Sequence, residues 1–426
     1  MKVIIEHTEF IKPSSPTPPH LRRHDLCFLD QTGVPLFMPY AVCYEKDDLN
    51  LKEKLSLIKR SLSEVLTVFY PLAGRVVGNL YVDCSDQGVR YKEARVQTKL
   101  STVLEDPDPN ELQNLQPFQL YDLQGLAAAI QVNLFECGGI AIGLCISHKV
   151  GDALSSSNFL KAWSAFARGN RSPVNWVTPL FDGASLFPPL REPDPMLEKF
   201  VQIVKEGFRS KRFVFDAESL SKLQTKYTDA AENKPTRIEA LMGFLSGRLM
   251  ANVRPPSGTF DKEKIIYKGF HAVNLRPRMD PPLSSGYFGN IIDLITLELR
   301  PGDEDGKIIR QSREIIKGMD MDFIRKLQNT EAVMKSLMDG LKAPSSEILV
   351  PFGFSSLSRL PFYEADFGWG KPAWVGSDHI PVPNYVYFFD GKDGKSIEVY
   401  ATLKDEDMSD FEKDTEIRAY TAATSP

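Results

Sequence analysis

The fold is decided by Ile140-Ala141-Ile142-Gly143-Leu144-Cys145-Ile146-Ser147 and the run that follows it, His148-Lys149-Val150-Gly151-Asp152. The first eight residues alternate large and small side chains, the period-two pattern of a buried strand, with the large ones on even numbers. Continued by one residue, the alternation turns His148 toward the interior face shared by Ile142, Leu144 and Ile146. After Gly151 the period becomes helical: Asp152 stands in the cap position, and Leu160, Trp163 and Ala167 recur at helical spacing. A strand, a tight turn and a capped helix therefore meet around one imidazole. The positive end of the helix disfavours the imidazolium, so His148 is expected to be neutral near pH 7, as a general base must be. The plainer alternative is a hydrogen-bonded core histidine beside an ordinary N-cap.

Strand and helix patterns alternate along the chain. Leu51, Leu55, Ile58, Leu62, Val65 and Phe69 define a helix that Pro71 ends, and Tyr70 to Arg75 forms a turn leading into short strands at 76–77 and 80–82. Arg75 reads as a solvated loop charge. Residues 13–19, rich in proline, read as an extended lead-in. Ala129 to Phe135 and Ile140 to Ser147 flank Glu136-Cys137-Gly138-Gly139, a hairpin connection. Prolines at 188, 189, 193 and 195 mark the linker candidate. Beyond it, Arg212 to Phe215 is strand-like, helices are expected over 217–227 and 237–252, and extended segments over 265–275 and 290–299. Lys307 to Met338 reads as one polar-faced helix. Tyr385 to Phe389 and Ile397 to Leu403 form a hairpin about Asp390-Gly391. The class is α/β with mixed sheets, in two domains, since 426 residues exceed what one hydrophobic core usually holds.

A net charge of −5 without long runs of either sign favours neither nucleic acid nor an anionic membrane, which leaves small molecules as partners. Five cysteines, an odd number with no C-x-x-C spacing, argue against a disulfide framework or zinc site and for a reducing compartment. The start of the chain has no apolar signal core and no Arg-rich transit pattern, and no apolar run reaches membrane-spanning length, so a cytosolic location is expected. No G-x-S-x-G elbow, Walker loop or dinucleotide fingerprint is present. His148 and Asp152 alone make at most half a metal site.

The chain resembles the plant BAHD acyl-CoA-dependent acyltransferases. His148-Lys149-Val150-Gly151-Asp152 matches their H-x-x-x-D signature, and Asp366-Phe367-Gly368-Trp369-Gly370, followed by Lys371-Pro372, matches D-F-G-W-G. Tyr70 to Arg75, Asn274-Leu275-Arg276 and Tyr287-Phe288-Gly289-Asn290 are similar to further recurrent segments. Ala153 after the first motif is the residue found in the vinorine synthase-like alkaloid and terpenoid alcohol acetyltransferases. Ser246-Gly247 replaces a common tryptophan, and Lys371 stands where transferases acting on acidic acceptors typically have arginine.

The resemblance implies a chloramphenicol acetyltransferase-like fold: two domains of similar size, each a mixed sheet flanked by helices, with a channel between them. The expected boundaries are 1–185, completed by about 366–391, then a crossover over 186–212, and 213–426. It implies an O-acyltransferase using acetyl-CoA or another acyl-CoA as co-substrate, with no permanently bound cofactor, acting on an alcohol of a specialised metabolite such as an alkaloid or terpenoid; a monomer is expected. N-acylation of an amine, or non-catalytic binding of a small molecule, are the alternatives. The implied catalytic base is His148; Asp366 is either an acid/base partner or a structural carboxylate fixing the loop of the second motif, and its Phe, Gly and Trp neighbours, which look like a packed turn, favour the structural reading. Asp152 is expected to pair with Arg276 and hold the loop. Gly368, Trp369 and Gly370 shape the second motif, where the Trp369 indole N–H is also a candidate oxyanion donor. Lys234, Thr236 and Arg237, opening a helix, are the candidates for a CoA phosphate.

Overall fold

A computed structural model describes residues 1–121, 124–172, 174–193, 203, 206–228, 233–255, 261–342 and 347–421. In chain order its strands are β1 (Val3–Ile11), β2 (Arg23–Asp25), β3 (Phe37–Tyr44), β4 (Arg75–Val77), β5 (Tyr81–Asp83), β6 (Val89–Val96), β7 (Ala128–Phe135) and β8 (Ile140–Ser147). They continue as β9 (Phe208–Phe215), β10 (Ile265–Asn274), β11 (Ile292–Leu299), β12 (Ile348–Ser356), β13 (Trp374–Gly376), β14 (Tyr385–Asp390) and β15 (Ile397–Lys404). One mixed sheet runs β1-β6-β7-β8-β3-β13 and a second runs β11-β10-β12-β14-β15-β9, with a small sheet β2-β5-β4 beside the first. Helices flank both large sheets, and each sheet has its own apolar core.

The expected strand at 140–147 is β8, hydrogen-bonded between β7 and β3 and buried on both faces. Its large residues Ile142, Leu144 and Ile146 enter the main core. Its small residues face the 113–121 segment, where a Cβ on Gly143 would lie 2.1 Å from the Leu115 carbonyl oxygen. The alternation of large and small thus records two different neighbours: a helix layer on one side and a close backbone on the other.

The expected helices form where caps and periodicity agree. Leu51–Leu66 is capped by Asn50 and packs against Ala153–Ala167, capped by Asp152; Trp163 ties the two by donating to Ser61 Oγ at 3.1 Å. Arg237–Asn252 matches its expected span. The single helix expected over 307–338 is instead three, Lys307–Lys317, Met321–Gln328 and Thr330–Lys342. Gly318 ends the first, and Asp320 restarts the chain by accepting from the amides of Asp322 and Phe323. A cap inside a periodic run wins over the period.

The chain crosses between sheets late. Trp374 pairs with Cys43 and Gly376 with Ala41, which places β13 at the edge of the first sheet, whereas β14, inside 366–391, lies in the second. Phe208 to Arg212, expected in the crossover, is already strand, pairing with β15. Much of the remainder of 186–212 lies outside the described residues. Arg75, expected in solvent, is half-buried, and its guanidinium donates to the carbonyls of Gly74 and Gly88 at 2.8 and 2.9 Å.

Replacing Gly143 by alanine should destabilise the protein by about 1–3 kcal/mol, because a backbone carbonyl rather than a movable side chain blocks the methyl. Thermal unfolding of the variant reads this as a lowered Tm, and an unchanged Tm would show that the 113–121 segment gives way.

Candidate active site

His148 follows β8 by one residue, in the turn that leads to the Asp152 cap, with its amide bonded to the Leu36 carbonyl at 2.9 Å. It is partly exposed. Its Nδ1 lies 2.8 Å from Asn290 Oδ1, across the junction between the two halves of the chain. The Asn290 amide nitrogen donates to the His148 carbonyl at 2.7 Å and to Asp30 Oδ1 at 2.9 Å, and its backbone N–H donates to the same Asp30 oxygen at 2.8 Å. Reversing that amide would set its oxygen against a carbonyl and a carboxylate. The network therefore assigns Oδ1 as an acceptor, which requires His148 Nδ1 to carry the proton. In the neutral ring Nε2 then keeps a lone pair, and no described residue hydrogen-bonds it.

Burial is the largest influence on this imidazole and pushes its pKa below the ordinary value of 6.5; the Asn290 contact opposes the shift, and the Lys149 charge adds slightly to it. The direction is the expected one, but desolvation rather than the helix end leads. Lys149 itself is buried, with Nζ donating to the Gln31 carbonyl at 2.9 Å.

Asp152 and Arg276 meet as expected. Asp152 Oδ1 accepts from the Ser155 amide at 2.9 Å, and Oδ2 accepts from Arg276 Nη1 at 2.7 Å. Arg276, 2% exposed, also donates to Tyr287 O through Nε and Nη2 and to Gly289 O at 3.1 Å. The guanidinium fork matches this set of acceptors, so a buried charge is both paired and hydrogen-bonded. It pins the 287–290 segment, and thereby Asn290, against the turn of His148. Sequence reasoning marked Tyr287 to Asn290 as a recurrent segment but assigned Asn290 no role, and it missed Asp30 altogether. The C-x-x-D stretch Cys27-Phe28-Leu29-Asp30 was the only local signal, because Asp30 at N3 closes a capping box with Cys27.

The second motif lies elsewhere. Asp366 Oδ1 accepts from the amides of Gly368 at 2.8 Å and Gly370 at 3.0 Å. Both glycines have positive φ, 109° and 104°, which explains the residue type. Phe367 and Trp369 stack at 5.5 Å and meet Tyr44 edge-on, and Tyr44 Oη donates to Ala365 O at 2.6 Å. Tyr44 pairs with Ile140, at the opposite end of β3 and β8 from His148, on the order of 25 Å away at a rise of about 3.3 Å per residue. The acid/base role for Asp366 is thereby corrected: its carboxylate shapes a turn out of reach of His148. The same distance removes Trp369 as an oxyanion donor.

Lys234, Thr236 and Arg237 do share one surface corner, but the helix end there is already closed. Thr236 and Glu239 form a capping box, with Arg313 donating to Glu239, and Arg237 donates to the carbonyls of Gly394 and Lys395. Lys234 is exposed.

Replacing Arg276 by alanine leaves the Asp152 charge buried and unpaired and should cost about 3–5 kcal/mol of stability, measured by denaturant unfolding. Asp366→Ala should lower stability while leaving the kcat of the folded fraction within a few-fold of the parent; a loss comparable to that of a His148 variant would return Asp366 to the chemistry.

The Transferase family model matches residues 1–418. Akuammiline synthase 2 of Alstonia scholaris is 34% identical, over 99% of this chain and 97% of its own. A limonoid 21-O-acetyltransferase of Melia azedarach is 35% identical, over 99% of both chains. The crystal structure of vinorine synthase superposes with a TM-score of 0.83 at 29% identity, over 99% of both chains. A match along nearly the whole length, with the two sheets and both motifs in place, makes the chain an acyltransferase that belongs to the BAHD transferase family.

Proposed function

We propose that the protein transfers an acyl group, most simply acetyl, from acyl-CoA to a hydroxyl of an alkaloid or terpenoid alcohol, with His148 as general base. The observation that carries this reading is the fixed tautomer: Asn290 holds the proton on Nδ1 and leaves the Nε2 lone pair at a partly exposed position between the two sheets. The names of relatives similar over nearly the full chain support the acceptor class and the acetyl donor.

An alcohol is too weakly acidic to attack a thioester unaided at neutral pH. Nε2 takes the hydroxyl proton as the oxygen attacks the thioester carbonyl. The tetrahedral intermediate then collapses with cleavage of the C–S bond, and the proton on Nε2 passes to the departing CoA sulfur. The ester and free CoA leave, and the imidazole returns to its starting state. Because the ring begins and ends neutral, its lowered pKa keeps the base available through the physiological range. Arg276 and Asp152 act through the loop they hold and touch no reacting atom. Lys234 and Arg237, at their surface corner, remain our proposed contacts for a CoA phosphate, and Thr236 positions that helix end.

Purified protein given acetyl-CoA and a panel of alkaloid and terpenoid alcohols should release free CoA in step with ester formation; no release with any of them would sink the acetyl assignment. His148→Ala should lower kcat by roughly a hundred- to ten-thousand-fold, since proton removal is lost. The base works only unprotonated, so kcat/KM should fall as pH drops through a value below 6.5, and an acid limb above 6.5 would contradict the burial of the ring.

A further inference from the structure

Asp378 is 1% exposed, yet its Oδ1 has no hydrogen-bond partner among the described residues. It lines a cavity of about 70 Å³ together with Phe118, Leu120, Tyr121, His379 and Pro381, and among the described residues no lysine or arginine lines that cavity. A second buried polar atom nearby is also unsatisfied: Gln116 Nε2, whose amide oxygen accepts from Cys145 Sγ at 3.4 Å. His379 gives its Nδ1 to a contact with Ser210 Oγ at 2.9 Å and is kept below the usual imidazole range by burial, so it supplies no cation. Burial also holds the Asp378 carboxyl well above the usual carboxylate range. Such a group is costly unless something enters to pair with it.

Its place in the fold relates it to His148. Ser377 Oγ donates to Pro39 O at 2.9 Å, so Asp378 continues β13 alongside β3 level with Pro39, which pairs with Cys145, three residues before His148. Strand rise and spacing put the two backbones roughly 10–15 Å apart. The cavity wall reaches the same end of the sheet, since Leu120 O accepts from the Phe37 amide and Phe37 pairs with Ser147.

We propose that this cavity is an anchoring subsite for a protonated amine of the acceptor, with Asp378 as its counter-ion and the Phe118 and Tyr121 rings as its walls. The proposal rests on the acyl-transfer reading and narrows it to acceptors whose hydroxyl and basic nitrogen lie on the order of 10 Å apart. The volume suits a small alkylammonium, and aromatic faces favour one. Asp378 is a specificity-determining residue, and acylation chemistry stays with His148.

The test compares a dimethylamino-octanol with decanol, a pair matched in length and differing in the cation. Calorimetric binding to the intact protein, which needs no turnover, should favour the amino alcohol by about ten-fold or more, and Asp378→Asn should abolish the preference. Infrared difference spectra of the parent protein should show a protonated carboxyl band lost on adding the amino alcohol, a readout that survives if the variant misfolds. Equal binding of the two alcohols, a preference kept in Asp378→Asn, or a carboxyl band unchanged by the amine because only water fills the cavity would each overturn the proposal. Release of CoA from acetyl-CoA, followed separately with amine-free alcohols, reports on the acyl-transfer reading alone.

Discussion

A single carboxamide fixes the tautomer and the orientation of the imidazole at position 148. Asn290 spends its N–H groups on the His148 carbonyl and on Asp30, which leaves its oxygen to face the ring. The proton on Nδ1, the lone pair on Nε2 and the angle of the imidazole all follow from that commitment. Because Asn290 comes from the half of the chain that forms the second sheet and His148 from the first, the ring is set in this orientation only when the two halves are docked.

Docking is maintained by Arg276, a fully buried cation whose hydrogen bonds run to the Asp152 carboxylate and to the carbonyls of Tyr287 and Gly289. A buried ion pair contributes little net stability compared with apolar packing, but breaking one is costly, which makes it a device for fixing one arrangement. Here the fixed arrangement is the approach of the 287–290 segment to the turn after β8. The second motif has a parallel duty at the far end of the same strands, where Asp366 folds a glycine turn over Tyr44 beside the entry of β13 into the first sheet. The two signatures thus close opposite ends of one pair of strands and share no chemistry.

Local signals were legible in the sequence. The strand, turn and capped helix around His148 follow from period and cap, as do the hairpins at 128–147 and 385–404 and the helix Arg237–Asn252. The long helix beyond 307 was misjudged because its apolar period continues through the breaks at Gly318 and Asp320. What periodicity does not carry is pairing at long range. The contact of His148 with Asn290 spans 142 residues and that of Asp30 with Asn290 spans 260, and neither polar residue sits in a pattern that names its partner. The excursion of β13 into the first sheet is three residues long, too short for an alternation to register. The Phe, Gly and Trp neighbours of Asp366 already suggest a packed turn, and the two glycine amides show what its carboxylate holds there.

The account turns on which ring nitrogen carries the proton. Nitrogen NMR of protein labelled at its six histidines, with His148 assigned through a His148→Gln sample, measures this directly. At pH 7 the account predicts a neutral ring protonated at Nδ1 and bare at Nε2. A ring protonated at Nε2, or an imidazolium at that pH, would contradict it.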